Sequence, residues 1–157
     1  ENPTDFIRVQ GKEDMKNGRV VPRVWTTQVT KKAEKNDLIL SVRAPVGDVG
    51  KTDFDVVIGR GVAAIRGNEF LYQSLVKKKQ VGGWSKLSTG STFESINSSD
   101  IKESFFMTPC GKEQKKIGTF FRNLDYLIGL QEQELEKLKN IKKAMLDNLF
   151  VSEARTR

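Results

Sequence analysis

The stretch Lys112–Phe150, KEQKKIGTFFRNLDYLIGLQEQELEKLKNIKKAMLDNLF, decides the fold. It contains no Pro, and its only glycines are Gly118 and Gly129. Few breakers over so long a run predict one uninterrupted helix. Apolar residues recur at helical spacing: Ile117, Phe120, Phe121, Leu124, Leu127, Ile128, Leu135, Leu138, Ile141, Met145 and Leu149. From Ile128 the steps to Gln131, Leu135 and Leu138 are three, four and three, and Met145 and Leu149 continue the register. This is a coiled-coil seam with Gln131 at a d-type position and Lys142 at an a-type one, where neighbouring Ile141 covers the gap. At 1.5 Å per residue the helix is roughly 58 Å long. A domain of about 110 residues has a radius of gyration of only ~13 Å. The stripe outruns what such a domain can cover, so part of it is expected to meet a helix from outside its own globule. The residues expected to face that partner are Leu124, Ile128, Gln131, Leu135, Leu138, Ile141, Met145 and Leu149. The competing expectation is a terminal helix folded back onto its own domain.

The totals fit one domain, residues 1–110, followed by this helix in residues 111–157. The 157 residues are 37% hydrophobic, enough for one modest core. Lys and Arg number 27 against 20 Asp and Glu, a net charge of +7. The excess is spread over both parts, which is compatible with a polyanionic partner and equally with simple solubility. Cys110 is the sole cysteine, so no intrachain disulfide can form, and a reducing cytoplasm is expected. No apolar run reaches ~18 residues, so no membrane span is expected, and the opening ENPTDFIRVQ lacks a signal-peptide layout.

Working back from the helix, short strands are expected at Asp5–Val9, Asp37–Arg43, Phe54–Ile58 and Val62–Arg66. In Asp37–Arg43 (DLILSVR), Leu38 and Leu40 fall on one face and Ile39 on the other. Arg19–Val24 reads as an edge strand, because Pro22 is barred from a sheet's middle. A short helix capped by Thr26 or Thr27 is expected to run to about Lys35. Ala44–Gly50 (APVGDVG) reads as a tight turn and return. Asn68 is expected to cap the helix NEFLYQSLVKKK, with Glu69 in its first turn. Ser98 reads as the cap of a short turn, and Glu103–Met107 (ESFFM) as a last core strand.

Two stretches suit contact with nucleic acid. Between Arg8 and Lys32 there are seven basic residues and only two acidic ones, Glu13 and Asp14. Leu71–Phe93 has no acidic residue; it carries Lys77, Lys78, Lys79 and Lys86 around Trp84, then the small polar run SKLSTGST. Hydroxyls, amides and lysines on a loop suit phosphates and base edges. They also suit a solvated helix end and an ordinary loop. The candidate DNA contacts are Arg19, Arg23, Lys77, Lys78, Lys79, Trp84, Lys86, Ser88 and Ser91.

Catalytic chemistry is sparse. With no His, the usual neutral-pH base and the commonest zinc ligand are absent. There is no GxxxxGKS/T phosphate loop, no Asp-Pro-Pro or Asn-Pro-Pro tetrad of adenine methylases and no Pro-Asp nuclease signature. Asp37, Asp48, Asp53 and Asp55 sit at strand ends and turns, where Asp is common. No catalytic residue and no metal ligand is expected: the chain reads as a binding or assembly protein.

Four blocks in order, DLILSVRAPVGDVGKT (37–52), IGRGVAAIR (58–66), TGSTFESINSSDI (89–101) and the helix opened by KEQKKI (112–117), resemble the specificity subunit of type I restriction-modification systems. Such subunits alternate two target recognition domains with two long helices that pair antiparallel as a spacer. The resemblance implies an α+β fold: a small mixed or antiparallel-sheet recognition domain, then one long helix forming an intermolecular antiparallel coiled coil. It implies double-stranded DNA, a methylation subunit and a restriction subunit as partners, in a prokaryotic cytoplasm. S-adenosylmethionine, ATP and Mg are then expected only in those partner subunits, with no cofactor here. Under the resemblance Arg43 and Arg60 read as scaffold rather than base readers. Only one recognition domain and one helix are present, half the usual complement, so a homodimer through the helix is expected. The family's customary Trp and Leu-Gly opening does not precede Glu1, and the domain is expected to lack its usual start. The alternative is a half-subunit that mainly assembles with the methylation subunit or a full specificity subunit and reads little DNA itself.

Overall fold

The computed structural model describes residues 5–87, 95–104 and 106–150. The chain divides into two compact units, residues 1–118 and 119–157. Among its described residues the first unit has nine short strands. They are β1 (Phe6–Val9), β2 (Met15–Lys16), β3 (Arg19–Val20), β4 (Val24–Thr26), β5 (Lys31–Ala33), β6 (Leu38–Ser41), β7 (Val49–Lys51), β8 (Val56–Ile58) and β9 (Val62–Ile65). Three helices follow: α1 (Glu69–Gln80), α2 (Ser98–Lys102) and α3 (Gly111–Leu149).

The strands form two mixed sheets, in the orders β4-β1-β8-β5 and β2-β3-β7-β6-β9. Each contains one parallel pair, β1 with β8 and β3 with β7. The organising strand is β6, every residue of which is buried. Its alternation divides the core in two, as the period-2 pattern requires. Ile39 joins Val9, Val20, Ala33, Val56, Ile58 and Val62, contributed by both sheets, in a layer between them. Leu38 and Leu40 point the other way, to Val46, Leu75 of α1, Trp84 and Ile96. The unit therefore stacks sheet, sheet and helical layer around two apolar seams.

Asn68 caps α1, its side chain accepting from the Leu71 N–H at 3.0 Å. Lys51 of β7 pairs with Glu69, tying that helix to the second sheet. The first turns of α3 are anchored here too. The Asn68 amide donates to Gln114 at 2.8 Å, and a Cβ on buried Gly118 would crowd Glu69 and Phe70. Gly118 thus lets the two helix backbones approach closely.

Four expectations change. Arg19–Val24 is not one edge strand: Arg19–Val20 is β3, held between β2 and β7, and Val24 begins β4 at the edge of the other sheet, with Pro22 between them. Residues 27–35 form no helix: β5 pairs antiparallel with β8, from Lys31 opposite Ile58 to Ala33 opposite Val56. It is an edge strand with both lysines in solvent and only Ala33 buried, so the sheet's hydrogen bonds override a helix-forming composition. The cap of α2 is Asn97 rather than Ser98; with Asp100 it completes a capping box. Glu103–Met107 supplies no strand among its described residues; Phe106 packs on the core, while Met107 stays exposed.

The two tryptophans report on this packing. Trp84 is 1% exposed and Trp25, on the edge strand β4, is 38% exposed. Acrylamide should quench Trp25 strongly and Trp84 weakly, measured in the single-tryptophan variants Trp84→Phe and Trp25→Phe. In urea melts Trp84→Ala should cost about 3–5 kcal/mol.

Candidate nucleic-acid interface

The basic residues of the first unit fall into two groups, those paired with carboxylates and those not. Arg19 donates to Asp53 at 2.6 Å. Arg23 donates to the Glu13 carbonyl at 2.8 Å and lies 3.5 Å from Asp14. Asp14 is a buried carboxylate that also accepts from the Gln10 N–H at 2.7 Å. Arg23 therefore neutralises a charge that the fold has taken out of water. Lys79 pairs with Asp48 at 2.5 Å, and Arg66 pairs with Glu34 at 2.6 Å.

The Lys77–Lys79 run, at the end of α1, splits three ways. Lys77 is exposed, Lys79 is paired, and Lys78 lies over two rings, 4.5 Å from the Trp84 centroid and 5.1 Å from that of Phe106. Partial burial there pushes the Lys78 ammonium below the ordinary lysine range. The unfolded chain holds that proton more tightly, so this site favours folding more as alkaline pH rises through the lowered value.

Trp84, expected among the DNA contacts because lysines flank it, is buried with Leu38, Leu40 and Leu75. A Cβ on Gly47 would overlap its ring, and Gly47 holds a φ of +91° that suits glycine. Trp84 is a core residue whose ring no base can reach. Lys86 is exposed. Ser88 and Ser91 lie outside the described residues.

A second basic surface joins cations of the Arg8–Lys32 stretch to two arginines that the resemblance assigns to scaffold. Arg43 and Arg60 together line two adjoining clefts, of 520 and 760 Å³. Arg8 and Lys12 line the smaller cleft, and Lys31 and Lys32 the larger. Glu13, in the smaller cleft, is the one carboxylate among the described lining residues of either. Among the described residues neither Arg43 nor Arg60 has an ion-pair partner, and both are exposed. Their mounts are firm. The buried Ser41 hydroxyl bonds the carbonyls of Arg43 and Pro45 at 3.0 and 2.9 Å. Arg60 tops the Gly59–Gly61 turn, held by Gly59 N–H to the Val9 carbonyl at 2.8 Å and Val42 N–H to the Gly61 carbonyl at 2.9 Å. A Cβ on Gly61 would overlap the Gln10 carbonyl oxygen, so glycine is what lets this turn sit against β1.

In α3 the seam side chains are open to solvent. Leu124 is 40% exposed, and Ile128, Leu135, Leu138, Ile141, Met145 and Leu149 are between 52 and 70% exposed. Gln131 is exposed among them.

A two-sheet domain with a basic wall, followed by a long apolar-striped helix, defines a class. Residues 3–140 match the type I restriction modification DNA specificity domain family, and this chain belongs to it. It is 31% identical over 159 residues to a putative type I restriction enzyme MjaX specificity subunit of Methanocaldococcus jannaschii. That match covers 95% of this chain and 36% of the relative. The crystal structure of the HsdS subunit from Thermoanaerobacter tengcongensis superposes with a TM-score of 0.70 at 26% identity, covering 95% of this chain and 38% of that one. A chain from a structure addressing complex assembly and conformational transition of the type I R-M system gives 0.72 at 26% identity, covering 93% of this chain and 38% of that one. The chain thus spans little more than a third of these relatives. A two-sheet recognition domain followed by a long helix is the architecture expected from the resemblance.

Arg19 and Arg23, both candidate DNA contacts by sequence, should separate in stability. Arg23→Gln strands a buried carboxylate and should lower urea-melt stability by about 1–2 kcal/mol. Arg19→Gln breaks an exposed pair and should stay within ~0.5 kcal/mol of the parent.

Proposed function

We propose that this chain reads one half of a split DNA site for a type I restriction-modification assembly. Adenine methylation and cleavage then fall to separate methylation and restriction subunits. S-adenosylmethionine, ATP and Mg would be held by those subunits, and this chain would act as a recognition component in the cytoplasm of a prokaryote, with no catalytic residue of its own. Family membership and the DNA specificity domain over residues 3–140 support the DNA-reading role.

The observation that carries the assembly is the uncovered seam of α3. Its apolar residues follow heptad spacing, with Ile141 standing in beside Lys142, and each of them keeps two fifths or more of its surface in water. An apolar row of this length marks an interaction face. A second copy of the same helix, laid antiparallel, satisfies a twofold axis with isologous contacts. Two identical recognition domains would then stand at opposite ends of a two-helix spacer. Twofold protein symmetry would require a gapped, palindromic site, with the spacer setting the gap. Leu135, near the axis, would face its own counterpart, while Gln131 at a d-type position fixes register at some cost in stability.

Sedimentation velocity tests the pairing. The full chain should sediment as a dimer of the 17.7 kDa protomer, and Leu135→Asp with Leu138→Asp should convert it to a monomer that retains its recognition-domain fold by circular dichroism. A parent chain that stays monomeric at all concentrations contradicts the homodimer. Methylome mapping in cells carrying the methylation subunit tests the reading role. Modified sites should change when this chain is removed, and unchanged sites would leave it as an assembly element.

A further inference from the structure

We propose that Arg43 and Arg60 grip the phosphate backbone of duplex DNA and fix where the recognition domain sits on it. The inference rests on the DNA-reading function proposed above and adds the residues that make the sequence-independent part of the contact. Arg19, Arg23 and Arg66 each have a carboxylate partner, whereas Arg43 and Arg60 have none among the described residues. No described carboxylate pairs with them, Glu13 being the one in the cleft they line, and both are presented at one place by separate connections, the segment after β6 and the turn between β8 and β9. They form the wall shared by the two clefts. Cations continue on either side, Arg8 and Lys12 (3.8 Å from Asp48) in one cleft and Lys31 and Lys32 in the other, so a polyanion crossing the wall meets net positive charge on both sides, with Glu13 the one described carboxylate in its path.

The chemistry favours phosphate over base edges. Both arginines stand on backbone pinned by main-chain bonds and by the Ser41 hydroxyl. The main chain beneath each arginine is already ordered, so binding has only the side chain to order, and the guanidinium fork matches two oxygens of one phosphate. A fixed mount suits the invariant part of DNA, and phosphate contacts set register without carrying sequence information. Arg8 is braced alongside: with the Gln10 amide oxygen turned toward it, its Nε and Nη2 lie 2.6 and 2.9 Å from that oxygen. Lys32 rests 4.5 Å over the Phe6 ring, which holds its ammonium beside the larger cleft.

The test uses the full chain and fluorescein-labelled duplexes of several unrelated sequences, titrated by anisotropy over a range of salt. Arg43→Gln with Arg60→Gln should weaken binding about tenfold or more on every duplex. It should also flatten the slope of log K against log salt by about 1.8, at ~0.9 for each phosphate no longer neutralised. Arg43→Lys with Arg60→Lys should restore the slope while recovering only part of the affinity, since the charge returns without the fork. A circular-dichroism melt matching the parent shows that the weaker binding is not unfolding. If the parent binds and the Gln pair leaves affinity and slope unchanged, the phosphate assignment falls and DNA reading stands. Weakening confined to one sequence also overturns it, in favour of base reading. If the parent binds no duplex, alone or with the methylation subunit, the DNA-reading function falls and this assignment with it.

Discussion

The apolar seam of α3 is the constraint on which the assembly depends. Six apolar side chains from Leu124 to Leu149 stand at heptad positions and Ile141 fills in beside Lys142, all seven with roughly half of their surface in water. Burying such a side chain fully is worth about 1.5–3 kcal/mol, so a row of seven is a large uncovered term. Long isolated helices gain little from propensity alone; most helical stability in proteins comes from packing an amphipathic face. The seam therefore calls for a complementary surface, and a copy of the same seam is complementary by construction. In the proposed homodimer, the shared symmetry, the separation of the readers and the palindrome would all follow from that one pairing.

The recognition unit is governed by where its charges are neutralised. Away from the clefts several cations are paired locally: Arg23 with buried Asp14, Lys79 with Asp48, Lys51 with Glu69. At the two clefts positive charge is in excess. The same strand serves both purposes, because β6 fills two cores and then delivers Arg43 to the cleft wall as it ends. A rigid platform carrying excess positive charge is what sequence-independent attachment to DNA requires.

Much of the architecture was legible in the residues. The period of Lys112–Phe150 matches a helix from Gly111 to Leu149, and the alternation of DLILSVR matches the division of β6 between two cores. Asn68 before Glu69 marks the start of α1 correctly. What failed was local composition without its partner. Lys31 and Lys32 resemble a solvated helix because an edge strand also shows its lysines to water, and only pairing with β8 distinguishes the two. Trp84 sits among lysines in sequence, yet the space left by Gly47 draws it inward. The candidate interface was less legible still. Arg43 and Arg60 are 17 positions apart, and whether each meets a carboxylate is a tertiary fact that spacing does not encode.

The direction of helix pairing can be read from the chain's own chemistry. Cys110 is the single cysteine, is exposed, and directly precedes α3. The most direct measurement is the distance between nitroxide labels on Cys110 of two copies, by pulsed electron spin resonance. An antiparallel pair centred near Leu135 separates the labels by roughly 60–75 Å at 1.5 Å rise per residue. Labels within ~20 Å of each other, as a parallel pair would place them, or no dipolar coupling from a monomer, would contradict it.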